Sequence, residues 1–185
     1  MPATGLNQRI SDCGKAFAIA AAHEYTSGSS LHPATLIAAC ARIAGAQFLQ
    51  STALVTADMA PGSPVLADEL NAGPPLLLRI CAGVLASLGH HLSPVPTTSL
   101  SEDFKHVREH FLESHKRLAA TAERLKLQHS LDSAHMARAA AVATAITVHS
   151  VRAKVPPERG FGIASVGFTE GAKTAPSAGD RGRAP

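Results

Sequence analysis

Three residues in one short string carry the groups best suited to chemistry, the two histidines and the glutamate of His106-Val107-Arg108-Glu109-His110. Two imidazoles four residues apart on one helix can meet a single metal ion. A carboxylate between them can take a proton from a metal-bound water. The pair His90-His91 directly follows Gly89. There a cationic ring is favoured by the negative end of a helix without any ligand.

The string resembles the H-x-x-E-H motif of the inverzincin metallopeptidases over these five residues. That resemblance implies zinc held by His106 and His110, with Glu109 activating water. Asp103 with His106, and Asp132 with His135, repeat a carboxylate-x-x-His spacing on successive helices. Di-iron bundles use that spacing together with single carboxylates from two other helices, for which Glu24 and Glu69 are the candidates. The segment from Gly167 to Thr174 resembles a P-loop in every fixed position but one, where Ala172 stands for glycine.

Each string also has a plainer reading. On a helix through residues 100–128, Val107, Phe111, Leu118 and Leu125 share one face. His106 and Glu109 fall on the other, beside Lys105, Glu113 and Lys116. A solvated charged face is therefore the favoured reading, and a divalent metal (Zn or Fe) at His106 and His110 is the alternative. His115 lies beside the apolar face and reads as a buried histidine. Asp103 and Asp132 sit at helix starts, where aspartate is favoured as a cap. The P-loop-like string has no strand before it and Pro176 soon after it, against the context that phosphate binding requires. No catalytic residue is nominated and, outside the metal alternative, no cofactor is expected.

The elements that would position these groups are helices. Lys15 to Thr26 reads as a first helix, capped by Gly28. Pro33 opens a second with Ile37, Cys40, Ala44 and Phe48 on one stripe. Ser63 and Pro64 begin a short helix to Asn71. Pro75 opens an apolar helix through Leu88 that is hydrophobic all round, which predicts a central place in the fold. A long helix follows over 100–128, then one from Asp132 to about Lys154. The expectation is an all-α bundle of five to six helices over 1–157, with antiparallel neighbours joined by short turns. Residues 158–174, punctuated by glycine, are expected to lie extended across the bundle, and 175–185 to form a mobile tail.

Composition bounds the class. The chain has 185 residues, 45% hydrophobic, 4% aromatic and 17% charged, with no tryptophan. Alanine is the commonest residue, so the core must be built from small and aliphatic side chains. The net charge of +3 is modest and its basic residues are interleaved with acids, so a nucleic-acid partner is not expected. Cys13, Cys40 and Cys81 form no disulfide spacing and suit a reducing compartment. The run from Leu76 to Leu88 is short for a membrane span and contains Arg79. These features describe a bacterial, cytoplasmic, non-catalytic protein. It would act through self-association as a homodimer and through a protein partner or small ligand.

Overall fold

The computed structural model describes residues 5–26, 32–52, 54, 59–92 and 104–177. Among them are six α-helices: α1 (Leu6–Thr26), α2 (Pro33–Gln50), α3 (Gly73–Ser87), α4 (Phe111–Gln128), α5 (Ser133–Ser150) and α6 (Pro157–Ala172). A 3-10 turn, Asp68–Ala72, leads into α3. The only β pairing among the described residues is an isolated bridge between Pro64 and Thr174. The molecule is all-α, as its sequence requires.

Helix α2 is the axis of the packing. Every residue in it but Pro33, Phe48 and Gln50 is buried. Its alanines and Gly45 let other helices approach from several sides, α6 and α5 most extensively. A small-residue helix can be surrounded in this way. A leucine-rich one is kept at arm's length by its own side chains. That contrast corrects the expectation for α3, which is not central. It buries one stripe, Leu77, Cys81 and Leu85, while Leu76, Leu78, Ile80 and Val84 stay partly exposed. The run Asp68–Ser87 is, by length and composition, apolar enough to cross a membrane. Here its buried stripe packs on α5 and α6.

Residues 158–174 are not extended. Pro157 starts a helix that continues to Ala172, and its inner face is made of Gly160, Ala164, Gly167 and Gly171, all buried. A methyl group on Gly171 would strike the carbonyl of Arg42, and one on Gly45 would sit 2.5 Å from the amide nitrogen of Ala172. A methyl on Gly167 would lie 2.8 Å from the Ala41 methyl. Each glycine costs about 1 kcal/mol of helix propensity relative to alanine. The backbone-to-backbone approach of α6 to α2 offsets that cost. The segment does pack on the bundle, as expected, but as a helix.

Other boundaries move for related reasons. Helix α1 begins at Leu6 rather than Lys15, running through Gly14. A methyl there would lie 2.8 Å from the carbonyl oxygen of Ala139 on α5. The short helix expected from Val65 starts only at Asp68, because Pro64 is in the bridge and the Val65 amide donates to the Lys173 carbonyl. Ala175 is also held, its N–H on Ser63 and its carbonyl on the Gly62 N–H. This pairing reaches into the segment expected to be a free tail. Residues 178–185 and the Gly28 cap lie outside the described residues. Gly89, with φ +87, closes α3 in the left-handed conformation expected of a capping glycine. Consecutive helices are not the main partners. The pairs α1–α2 and α4–α5 touch far less than α2–α6 or α1–α5.

Candidate functional site

The largest departure from the expected elements falls on the histidine string. The long helix over 100–128 is not formed as one piece. Residues 107–110 are non-helical and α4 begins only at Phe111. The cause lies on α2. Arg42 is 2% exposed at the middle of that helix. One of its terminal nitrogens (Nη1) donates to the Glu109 carbonyl and to Ser114 Oγ, both at 2.8 Å. Its Nε donates to Glu170 Oε2 on α6, also at 2.8 Å. The guanidinium also stands 5.3 Å from the Phe104 ring centroid. Thr35 Oγ1 accepts the Arg108 N–H at 3.0 Å. Backbone groups that a continuous helix would use internally are thus spent on α2. Glu113 then caps the new helix start by accepting the His110 N–H at 2.8 Å.

Glu109 is therefore not a free base. Its carboxylate accepts the Tyr25 hydroxyl at 2.5 Å and the Arg117 guanidinium at 2.8 Å. Burial and the Glu109 carboxylate together push the Tyr25 phenol well above its ordinary range. The helical presentation that would aim His106 and His110 at one ion is absent. His110 stands at the N-cap of α4, and His106 faces a cleft described below. Among the described residues no group of three or more His, Cys, Asp or Glu side chains could hold a metal ion. Glu24 and Glu69 are exposed on separate elements, and Asp103 lies outside the described residues. Asp132 caps α5 by accepting the His135 N–H at 2.7 Å, and this bond holds its carboxyl below the ordinary value. Burial pushes the Cys13 thiol up to about 11 and those of Cys40 and Cys81 up to about 12. All three stay protonated near neutrality and are poor nucleophiles. The P-loop-like string forms the last turns of α6, with Glu170 committed to Arg42 and Gly171 against α2.

His115 is buried, 1% exposed, with its ring 5.5 Å from that of Phe111. His90, read as a simple helix-end histidine, has a partner that its position in the chain does not reveal. Its Nε2 lies 2.8 Å from Nδ1 of His149 in the last turn of α5. One hydrogen serves both nitrogens, so at least one ring is neutral. Burial, with Arg152 and His90 nearby, holds His149 below its ordinary value.

The groups that do converge are basic. A cleft of about 270 Å³ lies where the start of α2 meets the segment before α4 and the turn between α5 and α6. His32, His106, Lys154 and Arg159 line it, with Pro33, Ala34, Val155 and Ile163 supplying its apolar surface. Among the described residues no acidic side chain lines it. His32 is the N-cap residue of α2, in extended conformation, and its side chain makes no capping bond to the first turn. Its Nδ1 lies 2.9 Å from Thr35 Oγ1, the same oxygen that accepts the Arg108 N–H. Burial first, then the charges of Arg108 and His106, lowers the His32 pKa from its ordinary value. A folded-state histidine held neutral binds fewer protons than its unfolded counterpart below about pH 6.5, so His32 and His149 both subtract stability as the pH falls through that range. The cleft brings basic side chains from three pieces of chain to the N-terminal end of an 18-residue helix.

No protein-family model matches the chain, and no curated protein or solved structure is significantly similar to it.

The role given to Arg42 is directly testable. Arg42→Met leaves the Glu170 carboxylate without its cation and the Glu109 carbonyl without its donor. It is expected to lower stability by about 3–5 kcal/mol in equilibrium urea unfolding. Arg117→Met removes a cation that is 44% exposed and should cost under about 1 kcal/mol. Equal losses would show that Arg42 does not anchor the 104–110 segment.

Proposed function

We propose that this chain is a non-catalytic helical protein of the bacterial cytoplasm that acts by binding. It holds a small anionic ligand in the basic cleft and pairs with a second copy of itself. The cleft is the observation that carries the reading. Four basic side chains from three pieces of chain line one concavity at a helix N-terminus, and among the described residues no carboxylate lines it. The apolar lining from Val155 and Ile163 would take the non-polar body of a small ligand.

Self-association is assigned to the outer face of α1. Ile19 is 73% exposed there. It borders a groove of about 230 Å³ lined by Ala18, Ala22, Leu36, Ile146 and Val151. In a two-fold contact the Ile19 of each copy enters the groove of the other, which is self-complementary by symmetry. Three buried, protonated thiols suit a reducing compartment.

Titration of the labelled protein with phosphate, sulfate and citrate at constant ionic strength tests the ligand site. Backbone NMR shifts are expected at residues 32–35, 106–108 and 154–163, and Lys154→Glu should abolish them. No localised response to any of the three anions would contradict the reading. For the assembly, sedimentation velocity should give a dimer that Ile19→Glu converts to a monomer. A wild-type monomer mass unchanged by concentration would remove the pairing.

A further inference from the structure

The histidine pair at the C-terminal ends of α3 and α5 carries a chemistry that the cleft does not use. We propose that His90 and His149 form a two-imidazole chelate for a divalent cation of the zinc type, which ties the end of α3 to the end of α5.

The facing atoms are metal-ligating ones. Nε2 of His90 lies 2.8 Å from Nδ1 of His149, and the ring centres are 5.1 Å apart with their planes inclined at 55°. Either nitrogen of a neutral imidazole can ligate a metal. Zinc holds such a nitrogen at about 2.0–2.1 Å, which puts each ring centre about 3.2 Å from the ion. Two ring centres 5.1 Å apart then subtend about 106° at a common ion, near the tetrahedral angle. The nitrogens have to open to about 3.3 Å, roughly half an ångström beyond their hydrogen-bonded separation. The ion takes the place of the hydrogen that the pair shares. Both rings then serve as ligands, where one had to donate and the other to accept. Water completes the tetrahedron.

The backbone brings the two rings to this point. Gly89, at φ +87, turns the chain so that the His90 N–H returns to the Leu85 carbonyl at 2.9 Å. His149 stands in the last turn of α5. Positive charge is favoured at the C-terminal ends of helices, and two such ends meet here. Among the described residues Arg152 opposes a cation. It lies near His149 and donates from Nη1 to the His149 carbonyl at 2.8 Å. Burial first, then Arg152 and His90, lowers the proton affinity of the His149 ring, which favours the neutral form that a metal requires. Helix α3 buries one stripe, Leu77, Cys81 and Leu85. A metal bridge at its end holds it to α5 more firmly than one hydrogen bond does.

The chain has ten histidines, so the test must locate the ion. Untagged full-length protein, stripped with a chelator, is titrated with Zn2+ near neutral pH while proton–nitrogen NMR follows the imidazole rings. The expected result is one Zn2+ per chain, with shifts at the His90 and His149 rings. The melting temperature should rise with Zn2+ and stay unchanged with Mg2+, which prefers oxygen donors. His90→Gln and His149→Gln should each weaken Zn2+ binding by about tenfold or more and remove the rise in melting temperature. His106→Gln and His110→Gln should bind as the wild type does. Absence of Zn2+ binding, binding that survives either pair variant, or binding lost with His106 or His110 would each overturn the proposal. Should a pair variant lose its helical circular dichroism, the wild-type spectra decide, and unmoved His90 and His149 rings at saturating Zn2+ overturn it. Neither histidine lines the basic cleft, so failure here leaves the anion-binding reading standing.

Discussion

The approach of α6 to α2 at glycine is the constraint from which the rest of the structure follows. At Gly45 and Gly171 the two backbones come so close that a single methyl group on either helix would collide with the main chain of the other. Such proximity gives many short van der Waals contacts per residue. It compensates a chain with no tryptophan and few other aromatic side chains. It also makes α2 a helix with almost no outer face. Side chains with nowhere to go on a surrounded helix are either very small or fully committed, and Arg42 is the committed one.

The burial of Arg42 has consequences far along the sequence. A guanidinium out of water needs its donors satisfied and its charge balanced. Glu170 of α6 supplies the charge. The Glu109 carbonyl and the Ser114 hydroxyl accept two of its hydrogen bonds. Satisfying Arg42 interrupts the helix before α4 and brings residues 104–110 against the start of α2. His106 is thereby placed opposite His32, and the basic cleft exists because of that interruption. A polar group in the core thus shapes a concavity at the surface, in two steps that can each be traced to named bonds.

Much of the helical content is legible in the residues themselves. Pro33 starts a helix, Asp132 caps one, and Gly89 ends one, all through local backbone chemistry. The buried side of His115 follows from helical period alone. What local reasoning misreads is governed by distant partners. Glycine at 160, 167 and 171 resembles loop punctuation until it is set on a helical wheel, where with Ala164 it makes one continuous small face. The spacing of four, three and four residues was the available signal. Nothing in the string around His106 announces a break, because its cause is an arginine more than sixty positions earlier. The hydrophobicity of α3 suggested a central place, yet size decided the matter: slim helices occupy the middle and bulky ones the flank. For the candidate site, His106 was nominated for metal chemistry, whereas His32, Lys154 and Arg159 carry no local pattern. They become a site only when three separate pieces of chain meet.

The most direct test of the account compares glycine-to-alanine substitutions at Gly45, Gly171 and Gly83 by equilibrium unfolding. Alanine improves helix propensity by about 1 kcal/mol at any interior helical position. At Gly83, where an added methyl meets nothing within 4 Å, that gain should appear as increased stability. At Gly45 and Gly171 the sign should reverse, with losses of about 1–3 kcal/mol from overpacking despite the better propensity. Stabilisation at all three positions would contradict the claim that contact between α2 and α6 organises the molecule.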